Sequence, residues 1–203
     1  MKRRVVSFAL ILFVAFLAGC YLPGAEYSED LDLVYTNYDK NYDFGSKLTY
    51  SIPSKITKID GDPTSAEYVK DIYAIPMLAQ IEANMTKLGW TKVPLSSNPD
   101  LQLLPGAWTT TTVVGSYWGD YYCWYYYYYC GGGWYYPYPV YSSYSTGTMV
   151  MTLVNPNKEG ADETKQVVWS GAINGILSSS YDVDRINVAI DQAFKQSQYL
   201  KTN

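Results

Sequence analysis

Apolar and polar residues alternate along several short segments of this chain, which is the pattern of a strand with one buried face. Leu48, Tyr50 and Ile52 lie on one side of such a segment, and Pro53 ends it. The last two segments flank the polar stretch 155–160 and are predicted to pair as a hairpin with a long connection. The predicted strands are 31–36, 47–52, 90–93, 101–104, 108–114, 147–154 and 165–173.

Two other segments repeat apolar residues at intervals of three and four, which predicts amphipathic helices. The first runs from residue 75 to 88, with Pro76 in its first turn and Gly89 just past its end. The second spans 184–200. The predicted buried stripes are Ile75, Leu78, Ile81, Met85 and Leu88 in the first helix, and Ile186, Ile190, Ala193, Phe194 and Ser197 in the second.

Strands combined with two separated helices predict an α+β fold. We expect a mainly antiparallel sheet with the two main helices packed on one face, formed by a single domain over residues 31–203. A Tyr-rich insertion at 115–145 lies between two predicted strands, so we expect a long aromatic hairpin loop there.

The amino terminus has the pattern of a secretory signal. Basic residues at positions 2–4 precede an apolar run from Val5 to Leu17. The run is shorter than the roughly 20 apolar residues that cross a bilayer as a helix. We therefore predict that residues 1–19 are a cleaved signal peptide.

The residues Leu17-Ala18-Gly19-Cys20 resemble the lipobox of bacterial lipoproteins in all four positions. The resemblance implies cleavage before Cys20, a diacylglyceryl group on its thiol and a third acyl chain on the new amino group. The alternative is an ordinary signal peptide with a cysteine there by chance. Several acyl chains together anchor a protein stably. We expect residues 20–30 to be a lipidated tether.

The residue after the cysteine is Tyr21, not the aspartate associated with retention at the inner membrane. This favours a lipid-anchored protein of the outer membrane, facing the periplasm or the cell surface. The cluster Ser28-Glu29-Asp30 is either a surface-export signal or a solvated acidic part of the tether.

Composition narrows the classes of function. Three of the 15 basic residues and none of the 19 acidic ones lie in the signal, so the remaining chain is more acidic than the formal charge of −4. An acidic chain without a long basic run is a poor binder of nucleic acid. The chain contains no histidine, which excludes histidine-dependent triads and removes the commonest metal ligand.

Several short motifs, in their order and spacing, resemble the family called domain of unknown function 4136 (DUF4136). The similarity covers most of residues 31–203. It implies a bacterial envelope lipoprotein with an α/β fold, and it brings no activity, cofactor or catalytic residue. The motifs are Tyr42-Asp43-Phe44, Leu88-Gly89-Trp90, Asn98–Leu103, Gly147–Asn155 and Gln166–Gly175.

The insertion 115–145 holds 13 of the 23 tyrosines, and Gly131–Gly133, Pro137 and Pro139 interrupt it. Four interpretations compete: a solvated low-complexity excursion, a cover over the open face of the sheet, a protein-contact surface, or a platform for glycans. The candidate binding residues are Trp124, Tyr125, Tyr126, Tyr127, Tyr128, Tyr129 and Trp134. The candidate partners are therefore an envelope protein or a polysaccharide, besides the membrane itself.

Cys123 and Cys130 bracket the densest part of the insertion. With Cys20 acylated, an even pair remains in an oxidising compartment, which predicts a disulfide. Free thiols or pairing between molecules are the alternatives. The spacing is not that of a thioredoxin-type site.

We expect no catalytic residue, metal or cofactor beyond the covalent lipid, and no enzymatic activity. Asp60 and Asp62, and Asp182 and Asp184, form i,i+2 pairs at predicted loop and helix-start positions, where turns and N-caps account for them. An envelope protein that cleaves glycans with paired carboxylates, or only binds them, is the alternative.

Overall fold

A mixed β-sheet with two helices forms the body of the protein. The computed structural model describes residues 34–59, 67–108, 112–113, 134–135, 143–144, 147–159, 165–175 and 182–203. In these ranges eight strands form one sheet and two form a separate ribbon. The strands are β1 Val34–Tyr38, β2 Thr49–Ser51, β3 Thr57–Lys58, β4 Thr91–Lys92, β5 Leu101–Trp108, β6 Thr112–Val113, β7 Trp134–Tyr135, β8 Ser143–Tyr144, β9 Thr148–Glu159 and β10 Lys165–Ile173.

Four long strands, in the order β1-β10-β9-β5, form the antiparallel part of the sheet. The predicted hairpin of the last two strands is confirmed, because β9 and β10 pair antiparallel from Met149↔Ile173 to Asn155↔Gln166. A bulge between Val167 and Trp169 shifts the register.

The prediction of a mainly antiparallel sheet is wrong. Strand β2 is parallel to both β5 and β4, β3 is parallel to β5, and β7 is parallel to β10. A helix, α1 (Asp71–Lys87), lies between β2 and β4 in the chain. A connection of that length returns the chain in its original direction, so the next strand pairs parallel.

Strand β5 is continuous where the sequence predicted two strands interrupted at Pro105 and Gly106. The partner strands explain the tolerance of proline. Strand β2 pairs with Leu101–Gln102 and β3 with Gly106–Ala107, which leaves a gap between them. The Ala107 carbonyl accepts from the Ile59 N–H at 2.9 Å. Backbone groups two residues apart point the same way, so the nitrogen of Pro105 faces this gap and costs the sheet no hydrogen bond.

Both predicted helices are present, and their bounds differ from the prediction. Helix α1 begins four residues earlier, at Asp71, so Pro76 is inside the helix rather than in its first turn. Proline has no N–H, so the carbonyl of Ile72, four residues earlier, receives no helical hydrogen bond from it. Ile72 is an exposed residue. Ile75, predicted on the buried stripe, is 62% exposed.

The second helix, α2, spans Val183–Gln196 and continues into a 3-10 turn at Gln198–Leu200. The predicted N-cap is confirmed, because a carboxylate oxygen of Asp182 accepts from the N–H groups of Asp184 and Arg185 at 2.9 and 3.4 Å. On the facing sides of the two helices, Asp191 of α2 accepts from Gln80 and Asn84 of α1, at 2.5 and 2.6 Å.

One apolar cluster joins both helices to one face of the sheet. Leu103, Leu153 and Trp169 lie across the sheet from one another, and all three are fully buried in this cluster. The Trp169 indole donates to the hydroxyl of Ser197 at 3.0 Å and lies 5.7 Å from the ring of Phe194. The helix residues of the same cluster are Ala74, Met77, Leu78, Ile81, Met85, Ile186, Ala189, Ile190, Ala193 and Phe194.

The carboxyl-terminal residues return to the end of α1. The Leu88 carbonyl accepts from the Thr202 N–H at 2.9 Å, and the Trp90 indole donates to the Leu200 carbonyl at 2.7 Å. Gly89 lies between them with a φ of +93°, and a β-carbon there would be 2.2 Å from the hydroxyl oxygen of Thr202. Only glycine satisfies both the left-handed backbone and the close approach.

Strand β2 is held to the start of β5 by one carboxylate. An oxygen of Asp100 accepts from the Leu48 N–H at 3.1 Å, the Thr49 N–H at 3.0 Å and the Thr49 hydroxyl at 2.8 Å. Partial burial raises the pKa of Asp100, but these three hydrogen bonds outweigh burial and hold the pKa below its ordinary value.

We predict that Gly89→Ala lowers the free energy of unfolding by at least ~2 kcal/mol, because it adds both backbone strain and a clash. Removing the clashing hydroxyl in Gly89→Ala/Thr202→Ala should recover part of that loss, so the two changes are non-additive in urea denaturation. Gly45→Ala is the control, since its β-carbon would meet only the flexible amide end of Asn203. Equal losses of unfolding free energy in Gly89→Ala and Gly45→Ala would contradict this account.

We predict that Asp100→Asn lowers stability at about pH 7 by more than it does at about pH 3. A carboxylate whose pKa is depressed by folding stabilises the protein above its unfolded pKa, and the contribution disappears as the pH falls through the folded pKa. Urea denaturation at both pH values measures the difference. The control is Asp43→Asn, since Asp43 is exposed and its side chain makes no cap hydrogen bond. The same pH dependence in both variants would refute the assignment.

Candidate functional site

An open cavity of about 400 Å³ lies where strands β2 and β4 end. Three segments line it: residues 51–53 after β2, residues 92–95 from β4 onward, and Gln102 on β5. The parallel strands β2 and β4 finish at the same edge of the sheet. Pro53 and Pro94 each come two residues after the end of a strand, where a proline cannot continue the hydrogen bonding. A crevice beyond the carboxyl ends of parallel strands is a common place for a ligand in open sheets.

Hydrogen bonds hold the backbone around the cavity in place. Thr91 and Val93 donate to the carbonyls of Leu48 and Tyr50 at 2.8 Å each, which fixes β4 against β2. The Asp100 carboxylate fixes the other side of β2, as described above. The cavity therefore has rigid walls on two of its three sides.

Three polar residues line the cavity, namely Ser51, Lys92 and Gln102. The hydroxyl of Ser51 is buried and has no hydrogen-bond partner in the described part of the chain. Lys92 is half-exposed and pairs with Glu82 of α1 at 2.5 Å. A buried hydroxyl without a partner is costly unless a ligand or water satisfies it. The remaining lining is largely aliphatic, from Ile52, Val93 and Leu95 together with the two prolines.

This arrangement is suited to binding. The described lining residues include no carboxylate and no imidazole that could act as a base toward Ser51. A small, mostly apolar ligand would fit the aliphatic walls.

Tyr50, beside Ser51, is fully buried, and its hydroxyl also has no partner among the described residues. Burial raises the pKa of Tyr50, and the nearby charge of Glu82 raises it further. Burial likewise raises the pKa of Tyr42, with smaller contributions from Asp100 and Asp43. Both phenols therefore stay neutral into strongly alkaline solution and can act only as neutral hydrogen-bonding groups.

Most residues that the sequence singled out lie outside the described residues. These are Cys20, the cysteines Cys123 and Cys130, Trp124, and the run Tyr125–Tyr129. The predicted lipidation, disulfide and aromatic site therefore stay predictions. Trp134 lies in β7, which pairs parallel with β10 at Lys165. Asp182 caps α2, and Asp60 and Asp62 are outside the described ranges.

The cavity has no signature in the sequence. Pro53 and Pro94 mark the strand ends in the sequence, yet nothing in the pattern shows that β2 and β4 are neighbours. Within the described ranges no three potential metal-ligating side chains form a cluster. The helices described here are all too short or too polar to cross a membrane.

Several solved structures match the chain, and three of them are described here. A DUF4136 family protein from Bacteroides thetaiotaomicron is 30% identical, with a TM-score of 0.70, and the match covers 84% of this chain and 97% of that one. PelC from Paraburkholderia phytofirmans, solved as a dodecamer, is 12% identical with a TM-score of 0.41, over 85% and 99% of the two chains. A PDZ domain protein from Parabacteroides distasonis is 15% identical with a TM-score of 0.43, over 82% and 36%.

No curated protein matches the chain. The family model for the domain of unknown function DUF4136 matches residues 34–197. This match spans both helices and the whole eight-stranded sheet. The Bacteroides protein, at 30% identity, has the same fold. The chain belongs to the DUF4136 family.

Proposed function

We propose that this protein is a lipid-anchored binding module of the bacterial cell envelope, without catalytic activity. The observation that carries the proposal is the sequence Leu17-Ala18-Gly19-Cys20, placed at the end of a short apolar run. In this proposal residues 20–30 are the lipidated tether, and the family match begins at residue 34. A tether of that length would keep the domain close to the membrane surface.

Two features support a binding role. The cavity at the ends of β2 and β4 is lined mainly by aliphatic side chains, which suits an apolar group of a partner. The insertion 115–145 concentrates aromatic side chains of the kind that form binding surfaces. The absence of histidine from the whole chain supports a non-catalytic role, because the commonest general base is missing.

We predict that Cys20→Ser abolishes incorporation of an alkyne-labelled fatty acid and leaves the unprocessed precursor. The matched control is Cys123→Ser, which removes a different cysteine and should be labelled like the wild type. Labelling is read by gel fluorescence after click chemistry, and the processed amino terminus by mass spectrometry. Undiminished labelling of Cys20→Ser, or cleavage at another residue, would refute lipid anchoring.

We predict that a photo-crosslinking amino acid at Tyr126 or at Leu95 captures a discrete envelope protein in intact cells. Tyr126 samples the aromatic insertion and Leu95 samples the cavity. Val188, on the exposed side of α2, is the control position and should give no discrete adduct. A discrete adduct from one site only would identify the binding surface.

The same adducts from all three positions would show non-specific capture and count against a binding module for proteins. If no position gives an adduct, retention on purified envelope polysaccharide tests the glycan alternative, with Tyr125–Tyr129 changed to alanine as the matched variant. No adduct in cells together with no retention on polysaccharide would refute binding of either an envelope protein or a glycan.

A further inference from the structure

The outward face of helix α1 is apolar, where a helix at the surface of a domain usually carries charged residues. Ile72 and Ile75, one turn apart, are 71% and 62% exposed. Between the two ends of the helix, its exposed positions include no charged residue. The exposed residues of α1 are Asp71, Ile72, Ile75, Ala79, Ala83, Thr86 and Lys87.

Helix α2 has the ordinary pattern by comparison. Its exposed side is mostly polar and charged, and its one large apolar side chain there is Val188. The other exposed residues of α2 are Asp184, Gln192, Lys195 and Gln196. The apolar outward face is therefore a property of α1, and such a face marks a contact surface.

The exposed residues of α1 are arranged symmetrically about Ala79, the middle residue of the helix. Ile75 and Ala83 are equally distant from Ala79, and so are Ile72 and Thr86. The period of a helix makes this spacing common. It does not determine the chemistry, which is unequal: the large side chains lie before Ala79 and the small ones after it.

This inequality suits a second copy of α1 laid antiparallel on the first. A two-fold axis at Ala79 places each residue opposite the one at the same distance on the other side of the axis. Ile75 then lies against Ala83 of the other copy, and Ile72 lies against Thr86. A large side chain meets a small one at each of these positions, as close packing requires.

The charges agree with the same orientation. Asp71 begins α1 and Lys87 ends it, and both are exposed. In the antiparallel pair each Asp71 lies beside Lys87 of the other copy, so opposite charges meet at both ends. A parallel pair would place like charges together at both ends. It would also set isoleucine against isoleucine and leave a gap between the alanines. Ala79 at the axis allows the helix axes to approach to about 8 Å.

We infer that the outward face of α1 is a self-association surface, on which a second copy of this chain docks its own α1 in antiparallel orientation. Helix α1 has 17 residues, which is about 26 Å at about 1.5 Å per residue. A strip of this length and roughly 10 Å wide covers roughly 260 Å² per copy, against about 800 Å² in a standard interface. The dimer is therefore weak in dilute solution and forms at high local concentration. The inference depends neither on lipid anchoring nor on another partner, so it can be tested without them.

Disulfide trapping detects a weak dimer, because each encounter in the right geometry is made permanent. The chain from residue 20 onward, with Cys20, Cys123 and Cys130 changed to Ser, carries Ala79→Cys or the control Lys40→Cys. Lys40 is equally an exposed position and lies in the turn after β1. Under mild oxidation we expect Ala79→Cys to form covalent dimers at least about tenfold faster than Lys40→Cys, because the two thiols meet at the axis. Equal rates at the two positions would overturn the inference.

A mixture of two single-cysteine chains tests the orientation. In the antiparallel pair Ile75→Cys of one copy meets Ala83→Cys of the other. The two Ile75→Cys thiols lie about 12 Å apart along the axis, too far for a disulfide. With an affinity tag on one chain, we expect the mixed dimer to form at least about tenfold faster than either homodimer. Faster formation of the Ile75→Cys homodimer would refute the antiparallel arrangement.

Charge reversal tests the pairing of the helix ends. In the Ala79→Cys chain, Asp71→Lys or Lys87→Asp alone should slow trapping by about threefold or more, and the double variant should restore it. Both changes oppose the helix macrodipole, so recovery in the double variant cannot come from a more stable helix. Far-UV circular dichroism checks that each variant is folded, as we expect for substitutions at exposed positions. A double variant that is as slow as the single variants would refute the pairing of Asp71 with Lys87.

Discussion

Strands β5, β9 and β10 bury side chains on both of their faces, and the rest of the structure depends on this double burial. An antiparallel sheet often has one face in water, and then one layer of helices is enough. Here the first face carries the large side chains, with Trp169 and Met151 among them, and the second face carries valines, threonine and Leu104. Each face removes apolar surface from water at about 25 cal/mol per Å². Apolar burial on both faces therefore stabilises the sheet.

The helix layer is held in place by the motifs that identify the family. Leu88, Gly89 and Trp90 bind the carboxyl-terminal residues after α2, and so connect the end of α1 to the end of the chain. Trp169 and Gly171 act together, because a β-carbon at Gly171 would be 2.9 Å from the indole of Trp169. These motif residues have structural roles, so the family resemblance specifies a fold.

The YDF and NPDLQL motifs act in the same way. Phe44 lies edge-on to Tyr42 at 4.9 Å and near Tyr199, whose ring stacks on Tyr38 at 3.6 Å. Asn98 adopts a left-handed backbone with φ of 49°, which turns the chain so that Asp100 can reach the start of β2. In both places a few residues determine how one element enters the sheet.

The sequence predicted the helices, the β9–β10 hairpin and the α+β class, because these depend on local periodicity. It did not predict strand direction, since Thr49–Ser51 and Thr91–Lys92 are too short to carry a pattern and their pairing depends on the path of α1. Pro105 looked like a strand end, because a gap between two partner strands is not visible in a sequence. The cavity was missed for the same reason: Ser51 and Lys92 are far apart in the chain and meet only through the β2–β4 pairing. Burial of both faces is visible in the sequence of β9, because residues 148–154 include no charged residue on either side of the strand.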